Sequence, residues 1–533
     1  MCANVFFDIP KVQQVDLISK WLRTADIVAL DSATCSHKWR PEYLELLRSP
    51  ELTLSASFMS RYTVGDWVVL RKVTFAEVDL CSSTLSNDVK REALLKVIGP
   101  KLKTLHLHCE QDSFALEEES PLQIDQLILD VTQYCRRLTD FAIYCVNLDG
   151  SLSFLLNANP LLTQVTINNC RNITVSALKS IIKLPCFVNL DIQESIVADA
   201  ATLPVCEPNL HCQFLNGRNC RISSNVLTWL CQSMPNLLKL HVDVETGRDL
   251  ECIANHCRQV TIASITIDSG LLVAEARNIA KHWQSIELLT LLRPFKKKHL
   301  PVCDESVALV FVDKCHSLLQ LKLAPFDPTM NTDSSGRFDY ARVSYNQKNA
   351  EVSKLDNARS RLTDLFVPSL SAQALATIVQ KCVYLNTLYI IRPALVAVNA
   401  DAAEFALHNL SGTNIKTLVL TNSGNLDYTH LQPLQGMIKI VLCNIRVNAL
   451  HAYRLFDVCY QSPDLEALYI HNCPGVDSSV VLGALEQCPK LTHFEYCAKE
   501  RVSGNRINDP AVSIMSKLIR DKYPNLKHFV AQF

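Results

Sequence analysis

A chain of 533 residues with 52 Lys+Arg against 53 Asp+Glu lacks the charge bias that draws a protein to nucleic acid or to an anionic membrane surface, so neither is expected as a partner. No run of about 20 uncharged apolar residues is present, and the opening MCANVFFDIPKVQQVD has neither the basic region nor the long apolar run of a signal peptide, so no membrane span and no secretion are expected. The length exceeds what one compact core usually supports, which favours an architecture whose core grows along one axis.

Residues 1–50 read as three short helices. Asp8-Ile9-Pro10 precedes apolar residues at helical spacing: Val15, Leu17, Ile18, Trp21 and Leu22. Thr24-Ala25-Asp26 marks a break and restart, and Ile27, Leu30 and Ala33 continue the stripe. Cys35 and Trp39 follow, then a third helix from about Pro41 to Leu47, with Pro41 in its first turn.

From there the chain is periodic. Leu70, Leu102, Leu138, Leu162, Val188, Leu210, Leu237, Val260, Ile286 and Leu318 each lead an L-x-x-L-x-L-like run. Leu362, Leu385, Ile415, Met437, Leu465, Leu491 and Leu526 lead the rest, about seventeen units over 51–533. The clearest is PDLEALYIHNCPGVDSSVVLGALEQCPKLTHFEY, from Pro463 to Tyr496. Alternate residues of a strand share a face, so Leu468 and Ile470 point into a core while Ala467, Tyr469 and His471 point out. Cys473 returns inward as a small hydrophobe, and Val480, Val481, Leu482 and Leu485 form a helical stripe behind the same core. One such unit cannot bury its own face, so the units must stack.

Cysteine is part of the period: Cys135, Cys257, Cys315, Cys382 and Cys488 each precede a strand, and Cys170 and Cys473 each follow one. Thiols at core positions are packing residues that stay reduced, which implies a cytoplasmic or nuclear location. The step from Leu318 to Leu362 is long, and its excess, residues 327–360, is a polar insertion.

Enzyme chemistry finds no support. The chain has 13 glycines and no Gly-rich phosphate loop, no G-x-S-x-G, no H-E-x-x-H and no C-x-x-C, so neither catalytic residues nor a cofactor are expected. His106, His108 and Cys109 are the tightest set of potential metal ligands, but no further ligand accompanies them, and they read as surface side chains. Lys296-Lys297-Lys298-His299 reads as a solvated turn. The informative surface is the set of outward strand positions, which a solenoid lines up on its concave face. His106, His108, Tyr144, Tyr389, Tyr469, His471, His493 and Glu495 are the candidates for binding a protein substrate there.

Two resemblances follow from these residues. Ile9-Pro10, Ile18 with Trp21-Leu22, Asp26-Ile27 and Cys35 with Trp39-Arg40 resemble an F-box. The Cys-x-x-Leu-x-x-Leu-x-Leu-x-x-Cys layout, with Cys170-Arg171-Asn172-Ile173-Thr174, resembles the cysteine-containing class of leucine-rich repeats. Together they resemble an F-box and leucine-rich-repeat protein. The resemblance implies an α/β leucine-rich-repeat solenoid, curved, with parallel strands on the concave face, helices outside and a small all-α N-terminal domain. It also implies a substrate-recognition subunit of a cullin–RING ubiquitin ligase, which is not itself an enzyme. Ile9, Pro10, Leu17, Ile18, Leu22 and Trp39 would form the adaptor-docking domain, some as contacts and some as core. The alternative is a scaffold whose N-terminal helices only cap the first repeat and which has no ligase link. A small-molecule-gated receptor has weaker support, since the outward positions offer only scattered Lys239, Lys322 and Lys439.

Overall fold

The structure is a computed structural model of the chain. It describes residues 9–21, 24–33, 40–47, 55–56, 62–81, 87–108, 124–145, 148, 151–199, 202–294, 305–324, 360–367, 372–391, 414–421, 425–426, 436–443, 445–447, 462, 464–473, 476, 485–497, 523 and 525–532. The chain divides into two compact units, Met1–Asp243 and Val244–Phe533.

The first unit opens with helices α1 (Lys11–Trp21), α2 (Thr24–Ala33) and α3 (Arg40–Leu47). Ile18, Ile27, Tyr43, Leu46 and Leu47 are its buried centre, and the Tyr43 hydroxyl donates to the Ile27 carbonyl at 2.9 Å, tying α3 to α2. Helix α4 (Tyr62–Arg71) follows. Strands β1 (Ser55–Ala56), β2 (Glu77–Cys81), β3 (Thr104–His108), β4 (Asp140–Tyr144), β5 (Gln164–Asn168), β6 (Asn189–Gln193), β7 (Phe214–Gly217) and β8 (Lys239–Val244) then pair in chain order, every pair parallel. Between them run α5 (Asp88–Ile98), α6 (Ile124–Tyr134), α7 (Leu152–Ala158), α8 (Val175–Ile182) and α9 (Ser224–Ser233), with each of α4 to α7 packed on the next.

The second unit repeats the plan. Strands β9 (Ile262–Ile267), β10 (Leu288–Leu292), β11 (Gln320–Ala324), β12 (Asp364–Val367), β13 (Thr387–Ile391) and β14 (Thr417–Thr421) pair in order and in parallel. A two-residue strand β15 (Asn425–Leu426) separates β14 in sequence from β16 (Lys439–Cys443), and another, β17 (Arg446–Val447), separates β16 from β18 (Ala467–His471). β15 and β17 pair with each other, while β14, β16, β18, β19 (His493–Cys497) and β20 (His528–Gln532) continue the main ladder. Helices α10 (Gly247–His256), α11 (Val273–His282), α12 (Glu305–Lys314) and α13 (Ala372–Lys381) pack consecutively beside it. A parallel strand, a turn and a helix repeated in this way form an α/β leucine-rich-repeat solenoid.

The repeat geometry explains the spacing. In β4 to β6, the two strand residues on the core side (Phe141 and Ile143, Val165 and Ile167, Leu190 and Ile192) are buried. The residue after β4, β5, β6 and β18 (Cys145, Asn169, Glu194 and Asn472), and Asn219 just beyond β7, has φ between 47 and 61°, the left-handed region that asparagine tolerates best among side-chain-bearing residues. This turn, rather than the cysteine itself, swings the next residue inward. Cys170, Ser195, Cys220 and Cys473 occupy that next place. Their Sγ or Oγ donates to the carbonyls of Ile143, Ile167, Ile192 and Leu442, each in the preceding repeat. A small polarisable donor there fills the core and satisfies a carbonyl that water cannot reach. Gly99 is required by close approach, because a Cβ at that position would lie 2.6 Å from the Tyr134 carbonyl oxygen at the end of α6.

Three expected repeat starts are displaced. Leu70 is an exposed residue of α4, and Phe75 leads the repeat of β2. Val188 is one residue late and Leu210 two residues early; Phe187 and Cys212, both buried, hold the leading places. With them the leads Leu162, Phe187, Cys212 and Leu237 stand at a constant spacing of 25 residues. In each case an apolar neighbour mimicked the lead, and the cross-strand register decided between them. The polar insertion, apart from Ser360, and the Lys296–His299 run lie outside the described residues.

Candidate functional site

Three surfaces follow from this arrangement. The first is the N-terminal helical module. Gln14 donates its Nε2 to the Ile9 carbonyl at 2.8 Å, and the backbone N–H groups of Gln13 and Gln14 donate to the Pro10 carbonyl, so the Ile9-Pro10 pair is held at the start of α1. Pro10 and Gln13 are exposed and Ile9 is half-buried, and Leu17, one turn beyond Gln13, is 40% exposed. Ile18 is fully buried and belongs to the module's core rather than its surface. Leu22 and Trp39 lie outside the described residues.

On the side of the module that meets the first repeat, Asp31 is buried and its Oδ2 accepts from Trp67 Nε1 at 2.8 Å and from Arg71 Nε at 2.9 Å, both on α4. Arg40 adds an ion pair to Oδ1 at 3.6 Å. A charge inside the apolar α2 sequence thus has its partners on the neighbouring helix, the usual condition for burying a carboxylate.

The second surface is the open face of β2–β8. His106 Nδ1 pairs with Asp79 at 2.7 Å, and the His108 and Tyr144 rings stack with centroids 4.4 Å apart. Burial lowers the pKa of His108 and raises that of Tyr144, the latter helped by the Asp191 and Asp79 charges. Burial also raises the Asp191 carboxyl, against hydrogen bonds from Gln193, at 3.0 Å, and from Asn216. The Phe214 ring meets His241 edge-on at 5.6 Å, and burial pushes His241 down to about 4. His106, His108 and Tyr144, expected on this face, therefore do meet. Asp79, Asp191, Asn216 and His241 complete the set; their outward phase in the strand register was the available signal.

The third surface is the open face of β11–β20. Phe366, Tyr389, Val419, Val441 and Tyr469 occupy matching positions on five neighbouring strands, and the Phe366 and Tyr389 rings stack at 4.2 Å. Tyr389, Val419 and Val441 form a buried apolar cluster, with Phe366 and Tyr469 packed against it. Tyr389 and Tyr469 are thus part of one cluster rather than separate exposed anchors. Lys322 lies 6.0 Å from the Phe366 ring centre and Lys439 lies 5.2 Å from that of Tyr469. Beyond Tyr469, Glu495 stands between His471 Nε2 at 3.7 Å and His528 Nε2 at 3.9 Å, and the His493 ring is stacked with His528 at 6.1 Å. The sign of this cluster in sequence was three strands whose apolar residues run on without alternation: Leu365-Phe366-Val367, Leu418-Val419-Leu420 and Ile440-Val441-Leu442.

Among the described residues no group of three or more His, Cys, Asp or Glu is placed to hold a metal ion, and no helix is long and apolar enough to cross a membrane. No family model and no curated protein matches the chain. Among solved structures, the chain is similar to one in the crystal structure of the yeast Rad7 and Elc1 complex, at 12% identity over 73% of this chain and 85% of that one, with a TM-score of 0.32.

Proposed function

We propose that this chain is a non-catalytic substrate-receptor subunit of a cullin–RING ubiquitin ligase: the N-terminal module docks the ligase's adaptor protein and an open sheet face holds the substrate. The observation that carries this reading is the two-sided module. Its α2 side is bonded to α4 through Asp31, Trp67 and Arg71, while apolar Pro10 and Leu17 on its α1 side remain exposed. A helical cap has use for the first side only; apolar side chains left at the surface on the other suit a partner. Held in this way, a substrate gains a high local concentration beside the ubiquitin-loaded enzyme without any chemistry by the receptor itself.

The scaffold reading, a capped solenoid with no ligase link, draws on the Asp31 bonds alone. One experiment separates the two. The double substitution Ile9→Ala with Pro10→Ala is expected to abolish capture of purified adaptor protein while the melting temperature of the chain stays unchanged. Burying an isoleucine at an interface stabilises it by about 2 kcal/mol, enough for a loss of roughly thirtyfold in affinity. Failure of the wild-type chain to capture adaptor, or equal capture by the double variant, overturns the ligase reading. A fall in melting temperature with no adaptor capture supports the scaffold.

A further inference from the structure

On the open face of β16 to β20 one ammonium stands without a counter-charge. The first outward position runs Thr417, Lys439, Ala467, His493 and His528 across β14, β16, β18, β19 and β20. Lys439 is half-buried, and its Nζ lies 5.2 Å from the ring centre of Tyr469 on β18. No carboxylate among the described residues pairs with it, and burial pushes its pKa down to about 8. Lys490, at the rim of the same repeats, has Asp464 at 2.5 Å.

His493 faces the same gap from the other side of Ala467. Burial lowers its pKa, joined by the His528, Lys439 and Lys527 charges and opposed by Glu466. Lys439 and a protonated His493 therefore repel each other across the smallest side chain of the row. Two strand spacings, roughly 10 Å, separate their backbones, and one carboxylate fits between them with an oxygen about 2.8 Å from the donor on each side. Glu495, the one carboxylate at an outward position of β18–β20, is held in the next row between His471 at 3.7 Å and His528 at 3.9 Å. Beside the gap, Tyr469 begins the apolar row that ends at Phe366. Val419 and Val441 in its middle are 2% and 1% exposed, whereas Tyr469 and Phe366 at its ends are only half-buried.

We propose that this face takes an acidic, apolar segment of a protein partner, with a carboxylate seated over Ala467 between Lys439 and His493 and large apolar side chains packed on Tyr469 and, farther along, on Phe366. The charge is complementary, since an anion in the gap turns the repulsion between Lys439 and His493 into two attractions. The length selects a protein segment over a small carboxylic acid. Tyr469 and Phe366 stand four strand spacings apart, about 19 Å, which an extended chain of about six residues spans. The inference deepens the receptor reading and rests on it for the identity of the partner as a ligase substrate; the binding itself does not require the adaptor.

The test uses the full chain and a random-peptide library displayed on phage. Sequences with Asp or Glu next to large apolar residues are expected to be enriched. For a synthetic copy of an enriched peptide, Lys439→Gln is expected to weaken binding by about tenfold or more, and Lys439→Arg to retain most of it. Ala467→Glu, which fills the seat with a carboxylate of the chain itself, is expected to abolish binding, and Tyr469→Ala to weaken it. Lys281→Gln, at an exposed position of α11, is expected to change nothing. The melting temperature of Lys439→Gln is expected not to fall, since the substitution removes an unpaired ammonium from a half-buried place; this separates a lost contact from a lost fold. No enriched sequence, enrichment of basic or uncharged sequences, an unchanged affinity in Lys439→Gln or Ala467→Glu, or an equal loss with Lys281→Gln overturns the proposal. Adaptor capture measured on the same variants keeps the two readings apart: peptide binding without adaptor capture sinks only the ligase assignment, and capture without peptide binding sinks only this one.

Discussion

His241 and the buried cysteines show how burial in a solenoid sets the chemistry of a side chain. His241 stands on the open face, yet burial, joined by the Arg218 and Lys239 charges, disfavours its protonated form and pushes its pKa down to about 4. The unfolded chain therefore binds more protons than the folded one between that value and the ordinary histidine pKa of about 6.5. Its contribution to stability is full above the upper limit and is lost as pH falls toward the lower one. Replacement of His241 by Gln is expected to flatten the acid side of the stability profile in that window, read as denaturant midpoint against pH. Thiols obey the same rule: burial pushes Cys135, Cys315 and Cys473 up to about 12. In native protein at neutral pH, maleimide is expected to label the exposed Cys186 and Cys252 and to reach those three only on unfolding, as read by peptide mass spectrometry.

At the scale of one repeat, phase is everything, because a shift by one residue exchanges the core face of a strand for the open face. The displaced lead in front of β6 offers a direct check. Phe187 is fully buried and its neighbour Val188 is half-exposed, its N–H and that of Asn189 both donating to the Thr163 carbonyl. Phe187→Asp is expected to cost about 4 kcal/mol or more, since an unpaired carboxylate would enter a shared core. Val188→Asp is expected to cost less than ~1 kcal/mol. Urea midpoints for the two variants decide it: equal losses would mean that the lead is misplaced. Leu468 and Tyr469 on β18 form a similar pair, softened because Tyr469 also packs on the apolar cluster of the open face.

For the molecule as a whole, the N-terminal module and the first repeats form one unit, and Asp31 joins them. Asp31→Ala leaves Trp67 Nε1 and Arg71 without their acceptor and is expected to destabilise by about 2 kcal/mol, less than a fully buried pair because both arginines are partly exposed. Asp31→Asn keeps an acceptor for Trp67 and is expected to cost less. Hydrogen exchange in α1–α3 is the measurement: faster exchange confined to these helices in Asp31→Ala supports the joint, and unchanged protection argues that apolar packing alone holds the module.

What the sequence by itself determined was the unit. Alternation along each strand named the buried residues at Leu105 and Leu107, Leu240 and Val242, and Leu468 and Ile470, and the recurring Cys announced small inward positions before and after the strands. The three helices of residues 1–50 were equally legible, from apolar residues at helical spacing in α1, the restart at Thr24 before α2 and the first-turn Pro41 of α3. These are local signals, set by a period of two or of about 3.6 residues within one stretch of chain. Only the tertiary structure decided the rest. It chose Phe75, Phe187 and Cys212 as leads where Leu70, Val188 and Leu210 competed, because the choice rests on pairing with the next strand. It gave Asp31 its partners on α4, gathered Phe366, Tyr389, Val419, Val441 and Tyr469 into one cluster, and stacked His108 on Tyr144. Neighbours on a solenoid face stand a whole repeat apart in sequence, so their meeting depends on how repeats of unequal length stack, and no pattern within a single repeat contains it.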